Sequence, residues 1–151
     1  MPVNYIPKEH HTVTPYITVE DVEKVMDFLT ATFGAESREV MKAPDGSIMH
    51  AQMLVGNSML MLAGAKPPEW PSQPASFYLY VPDCDVTYKK ALAAGATSIM
   101  EPADQFYGDR HGGVKDSSGN SWWIATHIED VSEEEMKRRM EQWAAKASAT
   151  N

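Results

Sequence analysis

Apolar and polar residues alternate along most of the chain, and the period of that alternation changes from segment to segment. In residues 47–55 it is two, with Met49, Ala51 and Met53 on one side of a predicted strand. In residues 21–33 apolar residues recur at helical spacing, and a glycine follows at position 34, where a left-handed helix end favours it. The pattern therefore predicts a strand-helix-strand-strand-strand unit, with its other strands at 13–19, 36–41 and 58–63.

The same unit occurs a second time. Tyr16 matches Tyr78 at a separation of 62 residues, and Gly56 matches Gly119 at 63. A unit of about 60 residues is longer than the repeats of solenoid proteins, and only two copies are present. We therefore expect a duplicated half-domain with a ligand site where the halves meet.

The boundaries of these units divide one domain, residues 1–151, into five segments. We predict a loose arm at 1–11, module one at 12–63, a linker at 64–75 that contains four prolines, module two at 76–130, and a C-terminal helix at 132–147. Ser132 and Glu135 form a capping box at the start of that helix. In module two, the glycine-rich segment Phe106–Gly113 is predicted to be a loop, followed by strands at 114–116 and 121–127.

Composition excludes several classes of function. The net charge of −8 and the pI of about 5.0 argue against binding to nucleic acid or to an anionic membrane surface. No apolar run approaches the roughly 20 residues of a membrane span, and the N-terminus lacks the features of a signal peptide. The single cysteine, Cys84, permits no internal disulfide. We therefore expect a cytoplasmic protein.

Several segments resemble a known superfamily. They are Thr14–Tyr16, Phe33–Ala35, His50–Ala51, Tyr107–Arg110 and Trp122–Asp130. Together with the duplicated unit, they are similar to the vicinal-oxygen-chelate superfamily of glyoxalase I, bleomycin-resistance proteins and extradiol dioxygenases, and within it to the demethylubiquinone-methyltransferase-like (PhnB-like) branch. The resemblance implies an α+β fold with two βαβββ modules that form a curved, cup-like sheet. It also implies a homodimer, because such modules often exchange between chains.

The resemblance also implies where a metal would bind. Family members hold a divalent ion with one ligand from the first and one from the last strand of each module. Those positions correspond here to Thr14, Leu60, Ser76 and Trp123, and none is a His, Cys, Asp or Glu. We therefore predict neither a bound metal nor another cofactor.

The favoured function is metal-independent binding of a small, mostly apolar or aromatic molecule in the cup, as in the drug-sequestering members of the family. Aromatic walls would come from tyrosine and tryptophan side chains, and orientation from a few polar groups. The predicted ligand-binding residues are Tyr16, His50, Gln52, Leu60, Tyr78, Arg110 and Trp123.

Two alternatives remain open at this stage. One is an isomerase or lyase type of enzyme with a relocated site, in which His50 carries protons beside Arg110 and His127. The other is a dimeric interaction module with a filled cup. Arg110 itself has two interpretations, since it either pairs with its neighbour Asp109 or clamps a carboxylate, phosphate or phenolate of the ligand.

Overall fold

The computed structural model describes residues 2–149, so the outermost residues of the predicted domain (1, 150 and 151) lie outside it. Module one consists of β1 (Tyr16–Val19), α1 (Val22–Phe33), β2 (Glu36–Lys42), β3 (Ile48–Val55) and β4 (Ser58–Gly64). Module two consists of β5 (Ser76–Tyr80), α2 (Cys84–Ala93), β6 (Thr97–Asp104), β7 (Asp109–Lys115) and β8 (Ser121–His127). Helix α3 (Glu133–Ala149) follows.

Each module forms its own four-stranded sheet. The strand orders are β1-β4-β3-β2 and β5-β8-β7-β6, with the first strand of each module parallel to the last and the other pairs antiparallel. The α+β class with two βαβββ modules and a C-terminal helix is therefore confirmed. Because β1 and β5 stand at the ends of these orders, each is an edge strand of its sheet.

The first helix of each module begins at an equivalent aspartate. Asp21 accepts a hydrogen bond from the Lys24 amide at 3.1 Å, and Asp83 accepts one from the Val86 amide at 3.2 Å. These carboxylates satisfy amides that have no partner within the helix. Gly34 ends α1 at a φ of 66°, in the left-handed region where glycine avoids a steric penalty.

One hydrophobic core joins the two modules. It lies beneath α1 and α2 and contains alternate residues of both sheets, among them Leu62 in β4 and Trp122 in β8. Trp122 stacks on Phe77 and contacts Phe28 and Phe33 of α1, so the helix of module one packs on the sheet of module two. We call the other side of each sheet its open face, because neither α1 nor α2 covers it.

Strand β7 is longer than predicted. Residues 109–113 belong to it, although their two adjacent glycines led to the prediction of a loop. Neither glycine serves a turn. A Cβ at Gly112 would lie 3.1 Å from the Met100 carbonyl oxygen, and a Cβ at Gly113 would lie 2.5 Å from Cε3 of Trp123. Glycine is present at both positions because neighbouring groups occupy the space of a side chain.

Helix α3 contacts the rest of the protein near its start. Glu135 donates its amide to Ser132, as the capping box predicts, at 3.2 Å. Arg139 donates to the carbonyl of Phe106 at 3.0 Å, and the Trp143 ring lies 5.9 Å from the Phe106 ring. No helix among residues 2–149 is both long and apolar enough to cross a membrane.

Candidate functional site

The open face of module two has an aspartate at its centre. Asp109, at the start of β7, is 4% exposed and accepts three hydrogen bonds. Tyr78 and Tyr80 of β5 donate to its Oδ2 at 2.7 and 2.9 Å, and His127 of β8 lies 2.8 Å from its Oδ1. Two strands thus supply three side chains to one buried carboxylate on a third strand, and those side chains satisfy it.

The three donors set the ionisation of this group. Burial opposes the charge of Asp109, but the hydrogen bonds from His127 and the two tyrosines outweigh burial and lower its pKa. Burial, together with the bond to Asp109, raises the pKa of Tyr78 far above its ordinary value. Both ring nitrogens of His127 face carboxylates, because Nε2 lies 2.7 Å from Asp130; the bonds to Asp109 and Asp130 raise the pKa of His127.

Trp123 forms an aromatic platform beside this aspartate. Its six-membered ring occupies the space beside Gly113 where a side chain would lie, with Cε3 2.5 Å from the position of a Cβ, and its Nε1 donates to Ser76 at 3.2 Å. The ring of His111 stacks on it, with centroids 5.7 Å apart and planes at 29°. The indole and the imidazole thus form one aromatic group on this face, which could contact an aromatic ligand.

His111 is a neutral part of this surface. The predicted loop would expose it, but it lies half-buried between Tyr78 and Trp123, and burial lowers its pKa. Its Nε2 lies 3.3 Å from the Tyr107 hydroxyl, while its buried Nδ1 has no partner. We assign the proton of His111 to Nε2, where it can be donated to the Tyr107 hydroxyl, so that Nδ1 is an unpaired acceptor rather than an unpaired N–H group.

Module one repeats part of this arrangement. Tyr16 lies 5.8 Å from His50 with planes at 37°, and Tyr78 lies 5.5 Å from His111 with planes at 42°. The strand registers make these pairs equivalent, because the histidines stand opposite Ala63 in one sheet and Ala125 in the other. In both histidines Nδ1 is buried without a partner. The sequence therefore placed Tyr16, His50 and Tyr78 on open faces, and the structure adds His111.

Gln52 shares the open face with His50, as predicted, but its amide is already engaged. Its Nε2 donates to Glu39 at 3.0 Å, and its Oε1 lies 3.0 Å from Nε2 of His10. His10 belongs to the N-terminal arm, which is also held by two hydrogen bonds between Arg38 and Glu9. The described part of the arm is thus attached to module one rather than loose, and it covers part of that open face.

Leu60 lies on the opposite face from the one predicted. It pairs with Met53 in the register of β3 and β4, is 5% exposed, and belongs to the hydrophobic core. Met61 is the β4 residue that pairs with Tyr16 and corresponds to Trp123 in module two. The sequence contained a signal for this difference. Tyr16 and Tyr78 are 62 residues apart, whereas Leu60 and Trp123 are 63 apart, and a shift of one residue along a strand moves a side chain to the opposite face.

Arg110 also lies away from the open face. Its partner is not Asp109; instead it forms two hydrogen bonds with Asp85 of α2, at 2.8 and 2.9 Å, and one with Asp104 at 3.0 Å. Its neighbour His111 points to the other side of β7. Arg110 therefore connects the helix to the sheet, and its guanidinium is occupied by carboxylates.

The four positions that correspond to family metal ligands do not fit a metal. Thr14 precedes β1, Leu60 is in the core, and Ser76 is the hydrogen-bond partner of Trp123. Hydroxyl, isobutyl and indole groups do not provide the nitrogen, sulfur or carboxylate ligands of such sites. Within residues 2–149, no group of three or more His, Cys, Asp or Glu side chains is arranged to bind an ion. Metal independence stays a prediction.

Two crevices adjoin the predicted residues. One of about 780 Å³ contains Tyr16 and His50 and extends along the linker to Trp70. The other, of about 710 Å³, lies between the modules and contains Leu60 and Tyr78. The structure thus brings Tyr16 and His50 together in one crevice, and Leu60 and Tyr78 in the other. Trp123 and Arg110 lie on opposite faces of module two.

Comparisons with known proteins agree with this architecture. Residues 8–124 match the model of the Glyoxalase/Bleomycin resistance protein/Dioxygenase superfamily. An uncharacterised protein of Mycobacterium bovis, Mb0911c, is 30% identical over 138 residues, which are 85% of this chain and 91% of that protein. The Mycobacterium tuberculosis protein Rv0887c is 30% identical over the same length and is covered to 81%.

Solved structures show the same fold at lower identity. TioX from Micromonospora sp. ML1 is 24% identical with a TM-score of 0.67, and the match covers 78% of this chain and 99% of TioX. The putative 3-demethylubiquinone-9 3-methyltransferase, PhnB protein, from Bacillus cereus is 20% identical with a TM-score of 0.63, covering 77% and 99%. The chain belongs to the Glyoxalase/Bleomycin resistance protein/Dioxygenase superfamily.

Proposed function

We propose that this protein binds a small, mostly apolar or aromatic molecule against the open faces of its modules, without a metal ion. The observation that carries the proposal is the position of Trp123, whose indole occupies the side-chain space beside Gly113 and stacks with the ring of His111. A second support is the exposure of Tyr16 (59%), Tyr78 (42%) and Tyr80 (65%) on the same faces. Exposed aromatic groups that gather on one surface, as Tyr78 and Tyr80 do on the open face of module two, are typical of a binding site.

The proposal includes a homodimer. The two open faces belong to separate sheets, and the shared core lies on the helix-covered sides. Strands β1 and β5 are edge strands, which commonly pair with another chain. A second copy that brings its module one against this module two would enclose the aromatic surface. Light scattering should give twice the mass of 16.8 kDa; a monomeric mass at all concentrations would refute this part.

The two alternatives have less support. An enzyme built on His50 and Arg110 would need both side chains at one site, but they lie in different modules and Arg110 is bound to Asp85 and Asp104. A filled cup would bury its aromatic residues, whereas the tyrosines of both open faces are exposed.

The test is an NMR titration with 2-naphthol as a neutral aromatic probe. The indole N–H signal of Trp123, assigned with Trp123→Phe, should shift saturably, and Trp123→Leu should weaken binding about tenfold. Addition of EDTA should leave the affinity unchanged. Leu92→Gln, a change at an exposed position of α2, is the matched control. Absence of saturable binding, or binding only with an added divalent metal, would refute the proposal.

A further inference from the structure

The hydrogen bonds around Asp109 determine what module two presents to a ligand. Tyr78 and Tyr80 each have one hydroxyl proton, and both protons are donated to Asp109. The ring N–H groups of His127 are directed to Asp109 and Asp130. What remains for a ligand at the two tyrosines is the lone pairs of their oxygens, which accept hydrogen bonds. A ligand that fits this part of the surface must bring donors.

The charged groups around Asp109 are predominantly negative. Asp109 and Asp130 flank the imidazole of His127, so these three groups together carry a net negative charge whether or not the imidazole is protonated. The Asp109 carboxylate lies directly behind the two tyrosine hydroxyls and is shielded from water. Lys115 is on the same face, but it is six residues further along β7, about 20 Å away.

No arginine is available to bind an anion. The chain has four arginines, all within the described residues, and each is paired with at least one carboxylate. Arg110, the member closest in sequence to the site, is held by Asp85 and Asp104 on the other face of β7. The net charge of −8 adds a long-range attraction for cations.

The aromatic rings complete the site. The rings of Tyr78 and Tyr80 meet at 65° with centroids 5.4 Å apart, and His111 lies between Tyr78 and Trp123 and contacts both rings. The faces of such rings are negative and attract ammonium and aromatic cations. We infer that the ligand carries a positive charge, as a flat aromatic cation or an aromatic amine, and that module two binds this charge between Tyr78 and Tyr80 in front of Asp109. This inference rests on the proposed function and names the ligand class for the same site.

Module one lacks these features, so the two open faces differ in chemistry. The equivalent of Asp109 is Ile48, two residues before His50, and the equivalent of Tyr80 is Thr18, two residues after Tyr16. Among residues 2–149, the two faces share the tyrosine-histidine pair and the alanine opposite each histidine. The charged end of a ligand therefore belongs on module two, and the apolar part of the ligand on module one of the partner copy.

The test compares three bicyclic probes of the same size and different charge: 1-methylquinolinium, 1-methylnaphthalene and 1-naphthoate. Each is titrated into the full chain while the Trp123 indole signal is followed. We expect the cation to bind about tenfold more tightly than the neutral probe, and the anion most weakly. Equal affinity of the three probes, or tighter binding of the neutral or anionic one, would overturn the inference and leave the proposed function standing. Absence of binding by all three would refute both.

Substitutions at Asp109 and His127 test whether charge, rather than the shape of the site, determines the preference for the cation. Asp109→Asn should reduce the preference for the cation to less than about threefold, whereas Glu141→Gln, which removes one negative charge from exposed α3, should leave it unchanged. Since Asp109→Asn changes a buried residue, His127→Gln provides an independent test. Below pH 6.5, where an imidazole with a raised pKa is protonated, it removes a positive charge next to Asp109, so the cation should bind more tightly and the neutral probe should not. Weaker binding of the cation by His127→Gln would contradict the inference.

Discussion

Gly113→Ala tests whether the position of the Trp123 indole beside Gly113 depends on the missing side chain. The new Cβ would lie 2.5 Å from Cε3 of the indole and nearer still to Cζ3, and ordinary van der Waals contacts begin at 3.4 Å, so the ring must move by at least about 0.9 Å. Gly113 has no positive φ, so the backbone itself accepts alanine. Overpacking of this kind costs about 1–3 kcal/mol. The displaced indole should also lose its hydrogen bond to Ser76 and bind aromatic probes more weakly.

A double-mutant cycle with Trp123→Leu measures this contact. Leucine has no atoms at the positions of the indole ring, so Gly113→Ala should cost at least about 1 kcal/mol less in that background. Free energies of unfolding from urea titrations give the coupling. Gly112→Ala is the matched control, because its Cβ would meet the nitrogen of Pro102 at 3.0 Å and a carbonyl oxygen rather than the indole. Equal costs of Gly113→Ala in both backgrounds would refute the assigned position of Trp123.

Further predictions address the core, the pH dependence and the helix caps. Leu62→Ala should reduce the free energy of unfolding by about 2–5 kcal/mol and Met61→Ala by at most about 1 kcal/mol, since only Leu62 is fully buried; equal losses in urea titrations would contradict the assigned faces of β4. Because its pKa is raised in the folded protein, His127 stabilises the fold below pH 6.5, and this stabilisation should disappear as the pH rises through that pKa. Tm values measured over a range of pH should show this loss, and His127→Gln should abolish this pH dependence. Asp83→Ala should cost about 1 kcal/mol by the loss of the α2 cap, measured by thermal unfolding, whereas an unchanged Tm would argue against the cap.

The fold could be predicted because its signals are local. Alternation of apolar residues in 47–55 and helical spacing in 21–33 correspond to β3 and α1, and Gly34 ends the helix as its position suggested. The repetition of these patterns then gave the two modules. Each of these features depends on neighbours within a few residues, which a single sequence contains.

The candidate site could be predicted only in part, because it depends on registers between strands. The sequence predicted that Tyr16, Tyr78 and Trp123 lie on the same face of their strands as the positions that correspond to family metal ligands, and in the structure all three lie on open faces. Asp109 was assigned to a loop and to the wrong partner, since adjacent glycines usually indicate a turn. The sequence did contain one signal for a strand, because Asp109, His111 and Gly113 occupy alternate positions and would therefore lie on one face.

The sequence by itself determined the duplicated α+β architecture, the helix ends and the chemical types of side chain available for a site. The tertiary structure decided which of those side chains meet. A shift of one residue in β4 places Leu60 in the core and Met61 on the open face, and the length of β7 places Asp109 behind two tyrosines. The physical reason is that strand residues alternate between faces, so contacts between distant strands depend on a register that no local pattern records.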